Sequence, residues 1–186
     1  MLDDLKYLNK VDKGDALGVA GKQADQLLHD FAASFQSKAD IFNIVVGGMG
    51  GSGWPSLVLR SWPGLTVPFE LSSNYHVPSY VNKSTLYIAS SYSGNTEETI
   101  EALGEAAERG ATIVVMAAGG QLAKIAREKK YPLYEIPGGF QPRMSSFFFL
   151  AALVQILEPL ALIPSGSLKE LRDTAAWLNG KNKDWL

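Results

Sequence analysis

The sequence predicts an α/β fold, a three-layer αβα sandwich built on a five-stranded parallel sheet. Short apolar runs rich in Val and Ile alternate with segments of helical periodicity, the pattern of strands joined by crossover helices. Two loops rich in glycine or hydroxyls follow such runs directly, where a doubly wound sheet carries its ligand-binding loops. At 186 residues with 46% hydrophobic side chains, the chain suffices for one core and is short for two.

The elements follow in order. Leu17, Ala20, Ala24, Leu27, Leu28, Phe31 and Ala32 recur near helical spacing and predict a helix from about Gly21 to Phe35, with a short helical lead-in. Ile41 to Val46 is a buried strand, the glycine run Gly47 to Gly53 is a loop, and Trp54 to Ser61 is helical. Val67 to Leu71 is a weaker strand, because Pro68 suits only an edge or an irregular position.

Leu86 to Ser90 is the third strand, and Gly94 to Arg109 is a helix that Gly110 ends. Thr112 to Ala117, Gln121 to Lys129 and Pro132 to Ile136 read as strand, helix and strand. A last helix, Leu168 to Leu178, is closed by Asn179-Gly180 and followed by a polar tail. The expected division is therefore residues 1–164 as one ligand-binding domain and 165–186 as a helix and linker.

Composition narrows the function classes. A net charge of −2 provides no basic field for a nucleic-acid backbone, so recognition of an anion must be local. There is no cysteine, which removes disulfides, thiolate nucleophiles and cysteine metal sites. His29, expected on a helix surface, and His76, in a loop after the second strand, share no metal-ligand spacing, so neither a metal nor a cofactor is expected. The acidic start Met1-Leu2-Asp3-Asp4 lacks the order of a secretory signal, and the apolar run Phe147 to Val154 is too short to cross a bilayer. A cytoplasmic location without a membrane partner is the expectation.

Three loops carry the chemistry. Ser91-Tyr92-Ser93-Gly94-Asn95-Thr96 places three hydroxyls and a glycine ahead of a helix, where unpaired N–H groups and partial positive charge favour an anion. Helix capping alone, with Asn95 and Glu98 as a capping box, leaves Ser91, Ser93 and Thr96 unexplained. In the glycine loop, Gly50 and Gly51 admit a ligand close to the backbone and Ser52 donates to it. Gly48-x-Gly50-x-x-Gly53 also satisfies a dinucleotide-binding pattern, with Glu70 roughly where a ribose-binding acid would stand. In the third loop, Pro137 to Arg143, the prolines and paired glycines deliver Arg143, a permanent fork of donors for a phosphate or a developing oxyanion.

Together Gly47 to Gly53, Tyr75-x-x-Pro78, Ser90 to Thr99 and Gln141-Pro142-Arg143 resemble the sugar isomerase (SIS) domain, and within it the bifunctional phosphoglucose/phosphomannose isomerases. The resemblance runs from about Asp12 to about Leu162 and implies a flavodoxin-like or Rossmann-like sheet. It further implies that Gly50, Gly51, Ser52, Ser91, Ser93, Gly94 and Thr96 hold a hexose 6-phosphate, while Arg143 stabilises transition-state charge. Enzymes of this group use two SIS domains per subunit and form homodimers. Their proton-moving glutamate and their assisting histidine and lysine belong to the second domain, so the resemblance implies a phosphate site without its catalytic base.

The reaction so implied interconverts glucose 6-phosphate, mannose 6-phosphate and fructose 6-phosphate through a cis-enediolate. Two alternatives stay open from the residues alone: a non-catalytic SIS module that senses a sugar phosphate, and a dinucleotide-binding domain.

Overall fold

The structure, a computed structural model, describes residues 4–37 and 39–185. The acidic start at Met1 to Asp3 and the terminal Leu186 lie outside them. The five strands are β1 (Asn43–Gly48), β2 (Phe69–Ser72), β3 (Thr85–Ser91), β4 (Thr112–Ala117) and β5 (Leu133–Glu135). They form one all-parallel sheet in the order β2-β1-β3-β4-β5, the expected sandwich.

The helices are α1 (Leu5–Val11), α2 (Ala16–Gly21), α3 (Gly50–Ser61), α4 (Glu97–Glu108), α5 (Gly120–Lys129), α6 (Ser146–Leu157) and α7 (Ser167–Trp185). Alternation along the strands decides which face each layer meets. Ile44, Val46, Leu86, Ile88, Val114 and Met116 pack on the side of α6 and α7, while Val45, Tyr87, Ala89, Val115 and Ala117 pack against α4 and α5. Burial on both faces explains why β1, β3 and β4 read as continuous apolar runs.

Helix α6 is buried nearly all round, from Phe148 to Leu157, because the sheet, α3 and α7 surround it. With its flanking 3₁₀ turns the stretch Pro142–Leu160 has 19 residues and a mean hydropathy of 1.3, enough by length and composition to cross a membrane and longer than the run Phe147 to Val154 suggests. Its burial, 61% of the most apolar window, is that of a core helix.

Four helix boundaries differ from those expected, one of them the start of α4 at Glu97 rather than Gly94. Instead of a helix over 21–35, α2 is followed by a 3₁₀ turn, Gln23–Leu28, and then extended chain. The side chain of Gln155 captures that extended backbone, donating to His29 O at 2.7 Å and accepting from Phe31 N–H at 3.1 Å. His29 is consequently not on a helix surface; it is half-buried, edge-on to Phe31 and Phe148. Helix α3 begins at Gly50 rather than Trp54, and strand β1 extends to Gly48 because Gly47 and Gly48 pair with Ala89 and Ser90. Helix α7 runs through Gly180 instead of stopping at Leu178: Asn179 Nδ2 donates to Asp25 at 2.7 Å, and Leu171 and Ala175 join the main core. Tertiary contacts here outweigh the roughly 1 kcal/mol that glycine costs a helix.

Candidate functional site

The site forms where strand order reverses. From β1 the chain crosses to β2 on one side, and β3 then returns to the other side of β1, so the loops after β1 and β3 flank the switch point. That crevice is where ligands bind in open α/β sheets.

Close packing makes the loop after β1. A β-carbon on Gly53 would stand 3.0 Å from the Gly48 carbonyl oxygen, so a side chain there would push α3 a few tenths of an ångström off its strand. The first turn of α3 is pinned to β3 by Ser90 Oγ, which donates to the Ser52 carbonyl at 2.8 Å. Ser52 Oγ in turn accepts the Tyr92 amide at 2.9 Å. The two loops are thereby one hydrogen-bonded unit.

In the loop after β3, Ser91 Oγ and Thr96 Oγ1 share a hydrogen bond of 2.7 Å. Ser91 Oγ also accepts the Gly94 amide at 3.2 Å, and Ser93 Oγ accepts the Asn95 amide at 3.2 Å. Ser52, Ser91 and Ser93 thus spend an oxygen lone pair on a backbone amide. Hydroxyl protons remain on Ser52, on Ser93 and on the Ser91–Thr96 pair, a set of donors suited to an anion. Gly94 has a φ of +67°, and a β-carbon there would fall on the Gly119 carbonyl, so the turn requires glycine.

The expected capping box is not formed. Helix α4 starts at Glu97 with Thr96 at its N-cap and no side-chain cap bond, since the left-handed Gly94 cannot enter the helix. Asn95 Oδ1 instead accepts Gln121 N–H at 3.0 Å and fastens the loop to α5. The first turn of α4 is acidic: Glu98 foremost, with desolvation and Glu97, holds the Tyr75 phenol above its ordinary pKa. The loop after β2 therefore faces the same helix end.

Arg143 sits in the 3₁₀ turn Pro142–Ser145. Its Cα lies 3.4 Å from where a β-carbon of Gly51 would be. The exposed side chain makes no ion pair among the described residues. Arg143, Gly50 and Gly51 line a cavity of about 400 Å³ with Gln23, Trp54, Ser146 and Phe147. The candidate residues therefore fall into two groups, Gly50, Gly51 and Arg143 on the cavity and Ser52, Ser91, Ser93, Gly94 and Thr96 in the hydroxyl loops, which meet at Gly51-Ser52.

His76 lies apart from both groups, its Nδ1 3.3 Å from a Glu105 carboxylate oxygen. Glu70 is engaged by the Tyr80 hydroxyl at 2.6 Å. Among the described residues no group of three or more His, Cys, Asp or Glu side chains is placed to hold a metal. Two contributors escaped sequence reading: Tyr92, which reaches out of its own loop, and Trp54, whose exposed ring walls the cavity. An aromatic inside a serine-rich turn is the one signal that could have exposed the first.

No family model matches the chain. Among curated proteins it is 37% identical over 126 residues to the bifunctional phosphoglucose/phosphomannose isomerase of Caldicellulosiruptor bescii, a match covering 67% of this chain and 37% of that protein. It is 39% identical over 113 residues to the enzyme of the same name from Thermoplasma acidophilum, covering 61% and 34%. A D-glucosamine-6-phosphate 4-epimerase from Sulfolobus acidocaldarius is 41% identical over 111 residues, covering 59% and 35%. The chain spans about a third of the length of these relatives.

Solved structures share the fold at lower identity. The C-terminal domain of glucosamine-fructose-6-phosphate aminotransferase from Francisella tularensis aligns with a TM-score of 0.60 at 13% identity, covering 90% of this chain and 54% of that one. Tagatose-6-phosphate ketose/aldose isomerase from Escherichia coli aligns with a TM-score of 0.54 at 18% identity, covering 91% and 48%. By its sequence similarity to the bifunctional phosphoglucose/phosphomannose isomerases, the chain belongs to the sugar isomerase (SIS) domain family.

Proposed function

We propose that this chain is the phosphate-binding SIS domain of an enzyme that interconverts glucose 6-phosphate, mannose 6-phosphate and fructose 6-phosphate. The observation that carries the reading is the donor set: one free hydroxyl proton each on Ser52 and Ser93 and one on the Ser91–Thr96 pair, with the oxygens of Ser52, Ser91 and Ser93 already engaged by backbone amides. The phosphate is a handle, orienting the sugar with binding energy far from the reacting carbons.

In the proposed reaction a carboxylate removes the proton beside the carbonyl, and the resulting cis-enediolate is reprotonated at the neighbouring carbon. Arg143 meets the charge on the enediolate oxygen. The base is proposed to lie outside these 186 residues, in a second SIS domain of a cytoplasmic homodimer, so the isolated chain binds substrate without turning it over. Support comes from the identity with relatives of that name and from a match that spans about a third of their length.

A second reading draws on the 4-epimerase relative, whose 41% identity exceeds the 37% and 39% of the isomerases above. The same handle would then hold an amino sugar 6-phosphate. Calorimetric titration of the chain with fructose 6-phosphate, glucosamine 6-phosphate and NAD separates the readings. Fructose 6-phosphate should bind and NAD should not; binding of NAD alone would overturn the sugar-phosphate reading, and a marked preference for glucosamine 6-phosphate would favour the epimerase.

A further inference from the structure

Tyr92 stands between Ser91 and Ser93, yet its side chain leaves their loop. Its phenol oxygen accepts the Phe140 amide at 2.8 Å and donates to the Pro137 carbonyl at 3.4 Å. Its own amide goes to Ser52 Oγ at 2.9 Å, and its carbonyl accepts the Ala118 amide at 3.1 Å. One residue thus fastens the loops that follow β1, β4 and β5 to the loop that follows β3.

The β5 loop needs such a fastening. It passes through Gly138 and Gly139, the latter at a φ of +90°, and glycine pairs set no path by themselves. Phe140 is the first residue after them, and Gln141, Pro142 and Arg143 follow at once. Beyond Arg143 the turn is held by Gln26, which donates to the Met144 carbonyl at 2.6 Å. The guanidinium has no carboxylate partner among the described residues, so its placement comes from its backbone. That backbone is clamped on one side by Gln26 and on the other by Tyr92.

We infer that Tyr92 is the positioning residue for Arg143: its phenol couples the hydroxyl loop that holds the phosphate to the turn that presents the guanidinium at the sugar's other end. The inference rests on the sugar-phosphate reading above. The Tyr92 backbone serves the handle, and its side chain serves the arginine.

The test uses two probes on the full chain. Inorganic phosphate reports the handle alone, and 6-phosphogluconate adds a carboxylate where the enediolate charge would develop. Tyr92→Phe should leave the phosphate affinity within about twofold and weaken 6-phosphogluconate about tenfold, the worth of a charge-assisted hydrogen bond. Arg143→Ala should do likewise, and the double variant should bind no more weakly than Arg143→Ala, the non-additivity of residues acting through one group. Amide exchange at Phe140 should quicken in Tyr92→Phe and not in Arg143→Ala. Multiplying effects in the double variant, or equal weakening of both probes by Tyr92→Phe, would overturn the inference. Failure of the unsubstituted chain to bind either probe would instead overturn the sugar-phosphate reading on which it stands.

Discussion

The Ser52 hydroxyl oxygen accepts the Tyr92 amide at 2.9 Å, joining the glycine loop after β1 to the hydroxyl loop after β3. Ser52 braces the loops through this bond, and in the proposed site it also donates its proton to the ligand. Ser52→Ala should cost about 1 kcal/mol of stability for the lost bond and weaken fructose 6-phosphate roughly tenfold or more. Thermal unfolding and calorimetry check the two effects separately; unchanged affinity would remove Ser52 from the site.

Gly94 is fixed by conformation and space together. Its φ of +67° disfavours any side chain, and a β-carbon would strike the Gly119 backbone, which cannot swing away. Gly94→Ala should destabilise the domain by roughly 2–4 kcal/mol, combining left-handed strain with overpacking. A denaturant midpoint close to that of the unsubstituted chain would show that the turn tolerates rearrangement.

Arg143 should behave in the opposite way. It is exposed and its guanidinium forms no ion pair among the described residues, so Arg143→Ala should change stability by no more than about 0.5 kcal/mol. Its loss should fall on 6-phosphogluconate binding, and Arg143→Lys should rescue only part of it because a lysine lacks the planar fork. Unfolding and titration on the same three proteins distinguish a ligand group from a structural one.

Acid should loosen the crossover between β2 and β3. Glu105 accepts Val77 N–H at 3.0 Å, and this bond first, opposed by desolvation and helped by Arg109 and His76, holds its pKa below the ordinary 4.5. A folded pKa below the unfolded one means stability that is present above 4.5 and lost as pH falls through the lowered value. The Val77 protection factor should hold from neutral pH to about 5 and drop further down, with no such drop in Glu105→Gln. Constant protection to about pH 3 would contradict the tie.

The layers and the sheet were legible because the central strands β1, β3 and β4 are buried on both faces and so read as unbroken apolar runs, as in Thr112 to Ala117. The hydroxyl loop was legible because three hydroxyls in so short a span exceed what capping requires. What escaped was decided by distant partners. Gln155 holds 29–31 extended although the local pattern favours helix, and Asp25 helps carry α7 past Gly180. Asn95 caps α5 rather than its own helix because Gly94 turns the chain toward Gly119 first. No local spacing reveals that the Tyr92 phenol reaches Phe140.

The central claim is that a hexose 6-phosphate is held by the loops after β1 and β3. The most direct measurement is an amide chemical-shift titration of the chain with fructose 6-phosphate. The largest changes should fall on Gly51, Ser52 and the amides from Ser93 to Thr96, with smaller ones at Arg143. Absence of saturable change, or changes centred on the separate cavity of about 580 Å³ lined by Phe35, Tyr134, Gln155 and Leu168, would contradict it.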